Sequence, residues 1–316
     1  MNKKYNVLVT SCGGDIGQSI GKILKDLNCL TFGWDISSNN AAKFIFDNFE
    51  TSLKIDKKKY LTNLEVFVKK NEIDFIIPVS EPELRFYTKN KKIIETLKPV
   101  RVLLANEFSR EIGFDKRKTS LFLKENKLPY PNLYSLENEK DIVFPLVAKP
   151  NTGAGSSNIF IVNEIEELKF ISNKYKDLLF QELLDGTNGE YTCCSYRSSN
   201  KEVRSIVFKR ELTAGGYSGY GEVIENDVID KLIYDLSVFL NLEGSINIQL
   251  RLNKGVPVVF EINPRFSSTI LFRHLLGFRD LEWSIEDAYN QQISKYNKPN
   301  KGAKFYKGFN EYILNK

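Results

Sequence analysis

The order of strands and helices changes near residue 105, and this change constrains the fold more than any other feature of the sequence. Up to that point, short apolar runs rich in β-branched residues alternate with segments of helical periodicity, from YNVLVT at 5–10 to VRVLLA at 100–105. Such alternation predicts a parallel, doubly wound sheet. Beyond residue 110, alternating strands and two glycine-rich loops predominate, which indicates an α+β region. We therefore expect an α/β chain of at least two domains, in keeping with its 316 residues.

The scarcity of histidine and the spacing of the cysteines exclude several kinds of active site. The chain has one histidine, His274, and its four cysteines contain no CxxC pair. A multi-histidine zinc site, a structural zinc module and an iron–sulfur cluster are therefore not expected. Any metal would be held by oxygen ligands, which favours magnesium or manganese. Carboxylates, amides, lysines and arginines must then carry any chemistry.

The distribution of charged and apolar residues bears on partners and location. The formal charge is +5, but no arginine-rich patch interleaved with aromatic residues is present, so we predict a solvated lysine-rich surface and no nucleic-acid binding. No segment approaches the roughly 18 apolar residues of a membrane span, and the first residues have no signal-peptide pattern. We expect a cytoplasmic protein with no membrane contact and with reduced thiols. The oligomeric state, including a homodimer, stays open.

A predicted hairpin near residue 254 carries oxygen-bearing side chains on neighbouring strands. Asn247 and Gln249 share one face of the first strand, and Glu261 and Asn263 share one face of the second. Polar groups buried in an apolar hairpin need partners, because an unsatisfied one costs about 1–3 kcal/mol. A magnesium ion with a bound phosphate would satisfy them together. The alternative is a polar face that simply meets solvent.

Two further segments suggest a phosphate site and a nucleotide site. Lys149 ends an apolar strand just before the loop NTGAGSSN, where glycines let backbone amides approach a phosphate and the lysine can neutralise it. The lysine precedes the glycines, so this is not a P-loop. The segment QELL at 181–184 is predicted to be a hinge whose backbone could bind an adenine edge. Glu190, eight residues after Glu182, is placed to accept hydrogen bonds from ribose hydroxyls.

In this order, the parts resemble the ATP-grasp superfamily, in particular ligases related to the large subunit of carbamoyl phosphate synthetase. They are a helix that contains DK, a strand with Lys-Pro and a glycine-rich loop, the QELL hinge with a trailing glutamate, then NIQ and EINPR. The resemblance covers residues from about 110 to 290. Its most specific element is NIQ followed twelve residues later by EINPR. It implies an ATP-grasp fold with the nucleotide between two α+β lobes, preceded by a Rossmann-like (pre-ATP-grasp) domain with a parallel sheet.

The resemblance implies a division into an N-terminal Rossmann-like domain (1–108), an ATP-grasp domain (109–298) and a C-terminal tail (299–316). Within the ATP-grasp domain it implies a lid at about 144–185 and a metal and phosphate lobe at about 186–298.

The same resemblance implies roles for particular residues. The nucleotide-binding residues would be Lys116, Lys149, Gly153, Gly155, Ser156, Ser157, Glu182, Leu183, Leu184, Glu190 and Gln249. The metal ligands would be Gln249, Glu261 and Asn263, and the catalytic residues Arg265 and Asn263. Arg265 would stabilise charge on the transferring phosphoryl group. Arg117 stays open as an alternative to Lys116, and Lys209 and Arg210 stay open as a pair of cations near the phosphates.

The implied reaction needs no histidine. ATP, with Mg²⁺ or Mn²⁺, would phosphorylate a small-molecule carboxylate to an acyl phosphate, which an amine or a thiol would attack to release ADP and phosphate. The chain would then be an ATP-dependent carboxylate–amine ligase with an acceptor that the sequence does not identify. The alternatives are a phosphotransferase, an ATP-binding regulator or scaffold without turnover, and an NAD(P)-dependent enzyme built on the first 105 residues.

The remaining signals are weaker. SCGGDIGQSIG with Asp35 about twenty residues on departs from the GxGxxG spacing of a dinucleotide site, and the substrate-contact candidates in this region are Gly13, Gly14, Ser80 and Glu81. Cys12 is predicted to be a packed thiol. Cys193 and Cys194 are predicted to point to opposite faces of a strand, one in the core and one at the surface. His274 is predicted to pack in a helix. The loop at 213–222 is either a hairpin tip or a flap near the acceptor.

Overall fold

The computed structural model describes residues 4–55, 58–153, 158–308 and 310–313. The strands in these ranges are β1 (Asn6–Thr10), β2 (Leu30–Asp35), β3 (Asn48–Thr51), β4 (Phe75–Pro78), β5 (Arg101–Val102), β6 (Leu133–Tyr134), β7 (Leu146–Pro150), β8 (Phe160–Val162), β9 (Leu178–Glu182), β10 (Glu190–Arg197), β11 (Val203–Leu212), β12 (Ser218–Val223), β13 (Gly244–Asn253), β14 (Val256–Asn263) and β15 (Lys304–Tyr306). The α-helices are α1 (Asp15–Asp26), α2 (Tyr60–Lys70), α3 (Glu81–Lys89), α4 (Lys91–Thr96), α5 (Glu107–Gly113), α6 (Lys116–Glu125), α7 (Ile165–Lys174), α8 (Asp227–Phe239), α9 (Ile270–Leu275) and α10 (Asp280–Ala288). Short 3₁₀ segments lie at Ala41–Phe44 and Leu136–Asp141.

The first part of the chain forms the predicted parallel sheet, in the order β3-β2-β1-β4-β5. Successive side chains of β1 point to opposite faces, so Val7 and Val9 pack in one buried cluster with Ile20 of α1, and Leu8 packs in another with Leu64 of α2. Helices therefore cover both faces of the sheet, which confirms the doubly wound prediction.

The rest of the chain forms two antiparallel sheets. Four strands pair in the order β6-β9-β7-β8, and six pair in the order β14-β13-β10-β11-β12-β15. The hairpin β13–β14 turns at Lys254 and Gly255, whose φ values of 50° and 83° suit a two-residue turn of type I′. The α/β plus α+β fold class predicted from the sequence is confirmed.

Helix α8 covers one face of the six-stranded sheet, and the segment around α10 covers the other. Cys193 packs in the cluster that contains Ile233 of α8, while Cys194 packs with Phe278 and Trp283. The two thiols do point to opposite faces, but the predicted surface position for one of them is wrong, because both faces are covered. Burial raises the pKa of both thiols well above its usual range.

Several short elements carried too weak a sequence signal to be predicted. Helices α3, α5, α7 and α10 were not expected, and β5 is only two residues long, although VRVLLA suggested a longer strand. Residues 304–306, in a tail with no predicted structure, form β15 and pair with β12 at the edge of the six-stranded sheet. Within the described residues, no helix has the length and apolar character of a membrane span.

A buried ion pair joins the segment after the β13–β14 hairpin to the rest of the molecule. Arg273 donates from Nε to Asp280 Oδ1 at 2.9 Å and from Nη2 to Oδ2 at 2.7 Å, and the two side chains are 0% and 1% exposed. Ser245 of β13 donates to Asp280 at 2.6 Å, and Arg273 donates to Ser267 at 2.8 Å. Ile270, beside this pair, packs in the cluster of α1 and the parallel sheet. The pair therefore connects the hairpin, the following loop and the helices against the first sheet.

We predict that Asp280→Asn lowers the free energy of unfolding by about 3–5 kcal/mol, because it leaves the guanidinium of Arg273 buried without a compensating charge. Chemical denaturation measures the loss. Asp235→Asn is the matched control, since Asp235 forms an ion pair with Lys231, whose side chain is 75% exposed, and should cost about 1 kcal/mol or less. Equal losses for the two variants would contradict the structural role of the buried pair.

Candidate nucleotide and metal site

One cavity, of about 580 Å³, contains most of the site residues expected from the sequence. Its walls come from the four-stranded sheet on one side and from the six-stranded sheet on the other. The turn before α1 and the tip of the β11–β12 hairpin also line it. The expected residues that line it are Lys116, Lys149, Gly153, Glu182, Leu183, Leu184, Glu190, Gln249, Glu261, Asn263 and Arg265. Gly155, Ser156 and Ser157 lie outside the described residues.

The register of the hairpin brings its polar side chains together. Gln249 lies directly opposite Glu261, and Asn247 lies opposite Asn263. Asn263 donates from Nδ2 to Glu261 Oε1 at 3.2 Å. Asn247 is 2% exposed, and its amide nitrogen donates to Thr192 and to the carbonyl of Cys193, so it supports the sheet. The carboxylate of Glu261 and the amides of Gln249 and Asn263 remain on the cavity wall.

A β-bulge in β14 places a backbone carbonyl beside the same group. Leu250 pairs with Val259 while Gln249 pairs with Glu261, so Phe260 has no register partner. Its carbonyl accepts a hydrogen bond from Lys149 Nζ at 3.3 Å. The bulge thus gives Lys149, on the four-stranded sheet, a contact with the six-stranded sheet.

Lys149 is a cation of the cavity wall whose charge is costly to bury. It is 7% exposed. Burial lowers its pKa from the ordinary 10.5 to about 8; Glu261 opposes this shift, whereas Lys116 and Arg251 add to it. Among the described residues, one backbone carbonyl is the hydrogen-bond partner of this ammonium group, which compensates its burial poorly. An anion bound beside it would offset the loss of hydration.

Lys116 lies across the cavity mouth from this group. Asp115 caps α6 by accepting a hydrogen bond from the Lys118 N–H, so Lys116 is the first residue of the helix. Its Nζ donates to the carbonyl of Gly153 at 2.8 Å. Arg117 is exposed and does not line the cavity, so the geometry favours Lys116 over Arg117.

The hinge between β9 and β10 lines the cavity, and hydrogen bonds fix the carboxylate of Glu182. Glu182 accepts hydrogen bonds from the backbone and the side chain of Asn132, at 3.1 and 2.9 Å. The carbonyl of Leu184 accepts from Arg251 at 3.2 Å. Among the described residues, no acceptor is found for the Leu184 N–H, which leaves a donor for a planar ligand edge.

Two arginines hold Glu190, for which the sequence suggested only contacts with ribose. Arg210 donates to Oε1 at 2.6 Å and Arg251 donates to Oε2 at 3.1 Å. Both line the cavity. Arg251 was missed, although it follows Gln249 by two residues on one strand and so faces the same way. The same alternation distinguishes Lys209 from Arg210, which the sequence analysis left open together as cations near the phosphates. Arg210 is buried and lines the cavity, whereas Lys209 is exposed.

Arg265 follows the hairpin and lines the cavity. Its Nη1 donates to the carbonyl of Phe266 at 2.9 Å. Burial lowers the pKa of its guanidinium, while Glu261 and Glu81 oppose that shift. The side chain therefore stays cationic beside the carboxylate of Glu261.

Comparison with known proteins identifies the domain that forms this cavity. Residues 114–269 match the sequence model of a family described as "ATP-grasp domain". The chain contains an ATP-grasp domain.

Sequence relatives and solved structures agree with this assignment. The carbamoyl phosphate synthase large chain of Thermoanaerobacter sp. (strain X514) is 28% identical over an alignment of 219 residues, and the match covers 62% of this chain and 20% of that relative. This chain thus spans about one fifth of the length of that relative. The L-amino acid ligase of Bacillus licheniformis has a TM-score of 0.70 at 18% identity and covers 93% of this chain and 76% of its own. The biotin carboxylase domain of 2-oxoglutarate carboxylase from Hydrogenobacter thermophilus, solved with MgADP, has a TM-score of 0.75 at 14% identity, with 96% and 74% covered.

The oxygen donors of the ATP-grasp domain fit a magnesium ion that arrives with a nucleotide. The set is one carboxylate, Glu261, with the amides of Gln249 and Asn263, all on adjacent strands. Magnesium is commonly held by one or two carboxylates together with substrate phosphates. The described residues contain no cluster of three or more histidine, cysteine or acidic side chains that could hold a metal. This donor set suits a metal that phosphate oxygens help to bind.

The first βα turn does not present a dinucleotide site. Asp35, the acidic residue that would bind a ribose, accepts hydrogen bonds from the N–H of Gly13 at 2.8 Å and of Ser37 at 3.0 Å. Ser80 caps α3 together with Glu83. Of the substrate-contact candidates in this region, Gly14 lines the cavity, whereas Gly13, Ser80 and Glu81 do not.

Three further features that the sequence analysis discussed are Cys12, His274 and the segment at 213–222. Cys12 is fully buried, and burial raises its pKa well above the usual range, which confirms the packed thiol. His274 lies in α9 and is 9% exposed, and burial lowers its pKa. The segment at 213–222 is only partly a loop: residues 213–217 form the tip of the β11–β12 hairpin, and residues 218–222 belong to β12. Gly216 and Tyr217 at this tip line the cavity.

We predict that Lys149→Met raises the stability of the ligand-free protein and abolishes its stabilisation by ATP. The folded-state pKa of about 8 lies below the ordinary 10.5, so the folded protein binds fewer protons than the unfolded chain between these pH values. Stability therefore rises with pH across that window, and the cost is fully present at pH 7. Removing the charge should recover about 1–3 kcal/mol at pH 7.

Thermal unfolding with and without ATP and Mg²⁺ measures both effects. Lys124→Met, at an exposed position of α6, is the matched control and should change neither. A Lys149→Met variant that unfolds at lower temperature and still responds to ATP would show that Lys149 is a structural residue.

Proposed function

We propose that this protein is a magnesium-dependent ligase, which activates a carboxylate with ATP and couples it to an amine, with release of ADP and phosphate. The observation that carries the proposal is the convergence of the buried Lys149, Arg265 and the donors Gln249, Glu261 and Asn263 in one cavity. Cations and metal ligands that line one cavity are suited to binding a triphosphate together with its metal ion. Phosphoryl transfer from such a complex needs no further kind of reactive side chain.

We propose that different residues of the cavity wall bind the adenine, the ribose and the phosphates of ATP. The backbone of Leu183 and Leu184 would hold the adenine, with Glu190, positioned by Arg210 and Arg251, near the ribose. Lys116 and Lys149 would bind the phosphates.

Glu261, with Gln249 and Asn263, would hold magnesium, which when bound supplies charge neutralisation for phosphoryl transfer. Arg265, fixed beside Glu261, would stabilise charge on the transferring phosphoryl group and on the acyl phosphate. Positioning and electrostatics carry the phosphoryl transfer, and the amine would lose its ammonium proton to water or to the leaving phosphate as it attacks the acyl phosphate.

The relatives support this choice over the alternatives. The similar proteins include a carbamoyl phosphate synthase large chain, an L-amino acid ligase and a biotin carboxylase domain solved with MgADP. The position of Asp35 argues against an NAD(P)-dependent enzyme, because its carboxylate already accepts hydrogen bonds from the backbone N–H groups of Gly13 and Ser37.

We also propose the domain division 1–108, 109–298 and 299–316, with the lid enlarged to include β6 at Leu133–Tyr134. The tail then contributes β15 to the sheet of the metal lobe.

We predict that Glu261→Gln reduces ADP release by about a hundredfold or more, because the metal site loses its carboxylate. The assay presents ATP and Mg²⁺ with panels of amino acids and other small carboxylates and amines, and it measures ADP. Glu166→Gln, at an exposed position of α7, is the matched control and should keep full activity.

The wild-type protein should release ADP only when both a carboxylate and an amine are present. Unchanged turnover by Glu261→Gln would refute the metal assignment. Tight binding of MgATP, measured by calorimetry, without ADP release on any panel would instead favour a regulator or scaffold.

A further inference from the structure

Beside the cavity, the ammonium group of Lys307 lies among one carboxylate and two aromatic rings. Lys307, just after β15, forms an ion pair with Asp15 at the start of α1. Its Nζ lies 5.1 Å from the ring centroid of Tyr217 and 5.7 Å from that of Phe272. A carboxylate and two aromatic faces around one ammonium group are the arrangement by which proteins recognise alkylammonium ligands.

This site opens on the cavity rather than on the outer surface. Asp15 and Tyr217 both line the cavity, together with their neighbours Gly14, Ile16 and Gly216. The side chains of Lys307 and Asp15 are 17% and 25% exposed, so the ion pair is largely withdrawn from solvent. A ligand bound in the cavity with Arg265 can therefore also contact Asp15 and Tyr217.

The carboxylate of Asp15 is incompletely satisfied when Lys307 is its partner. Its Oδ1 faces Lys307, whereas Oδ2 is buried and has no hydrogen-bond partner among the described residues. A buried carboxylate oxygen without a donor is costly. An ammonium group has three N–H donors, so a small ligand free to orient itself could serve both oxygens, unlike a lysine tethered to the backbone.

The position of Lys307 in the chain allows it to leave. It follows a three-residue edge strand, and its backbone N–H donates to the carbonyl of Gly219 at 2.8 Å. Rotation of its side chain would vacate the site while β15 keeps its pairing with β12. The lysine is therefore an internal competitor for the site.

We propose that Asp15, Tyr217 and Phe272 form the binding site for a primary ammonium group of the acceptor substrate, and that Lys307 occupies this site until the substrate displaces it. The assignment of the ligand to the acceptor rests on the proposed ligase function. It identifies the substrate class as a primary alkylamine, which includes amino acids, and it makes the tail a specificity element.

The test measures binding of n-butylammonium to the full-length protein by calorimetry at neutral pH, with n-butanol as the uncharged probe of the same shape. Lys307→Met should bind n-butylammonium about tenfold more tightly than the wild type, because the ligand no longer competes with an internal ammonium group. Adding Asp15→Asn to Lys307→Met should abolish that gain, and n-butanol should not distinguish the variants. Lys304→Met, at an exposed position of β15, is the matched control and should bind like the wild type.

Equal binding of n-butylammonium by the wild type and Lys307→Met, or weaker binding by the variant, would overturn the proposal. The second result would mean that Lys307 positions Asp15 rather than competes for it. The assay requires no turnover, so such a failure would leave the ligase proposal standing. Where turnover is found, Lys307→Met should lower the KM for the amine and leave the KM for ATP unchanged.

Discussion

The buried ion pair between Arg273 and Asp280 connects the parts of the molecule that surround the cavity. Asp280 accepts a hydrogen bond from Ser245 at the start of β13, and Arg273 donates to Ser267 in the loop that carries Arg265. Helix α9, to which Arg273 belongs, packs against α1 of the parallel sheet through Ile270. The pair thus fixes the hairpin, the arginine after it and the N-terminal domain relative to one another. Each of the two charged side chains depends on the other, because burying either one without its partner would leave an uncompensated charge in the interior.

A second buried charge has the opposite character. Arg273 is fully compensated within the protein, whereas Lys149 has one carbonyl at 3.3 Å and a pKa lowered by burial to about 8. Arg265 and Lys149 both depend on Glu261 for part of their compensation. A cavity in which cations are buried without full compensation is poised to bind an anion, and functional sites commonly hold such destabilised groups. Under the proposed function, the stability that the free protein loses at Lys149 would be recovered when a phosphate binds.

The contacts of the site that join residues close in the sequence could be predicted better than those that join distant segments. Alternation along β13 and β14 was enough to put Asn247 with Gln249 on one face of the first strand and Glu261 with Asn263 on one face of the second. The two-residue turn at Lys254–Gly255 alone would pair Gln249 with Phe260, and the bulge shifts the register by one residue so that Gln249 lies opposite Glu261. The bulge at Phe260 has no sequence signal of its own, and without it the contact between Lys149 and the Phe260 carbonyl could not be expected. The arginine partners of Glu190 come from β11 and β13, on either side of β10, so only the sheet order reveals them.

The same reasoning explains the tail. A strand of three residues is too short to show a recognisable alternation of apolar and polar side chains. The contact between Lys307 and Asp15 joins residues 292 positions apart, which no local pattern can indicate. Likewise α7 and α10 have apolar spacing too short and interrupted for a reliable prediction. Long-range placement, rather than the identity of the reactive residues, is what the structure adds.

The central claim is that this cavity joins a carboxylate to an amine through an acyl phosphate, and the path of one oxygen atom tests it most directly. The protein is incubated with ATP, Mg²⁺, an amine and a carboxylate whose oxygens carry a heavy isotope, and the phosphate released is examined by mass spectrometry. The account predicts that each phosphate contains one heavy oxygen from the carboxylate. ADP formation with unlabelled phosphate would mean that water, rather than the carboxylate, receives the phosphoryl group, and would contradict the account.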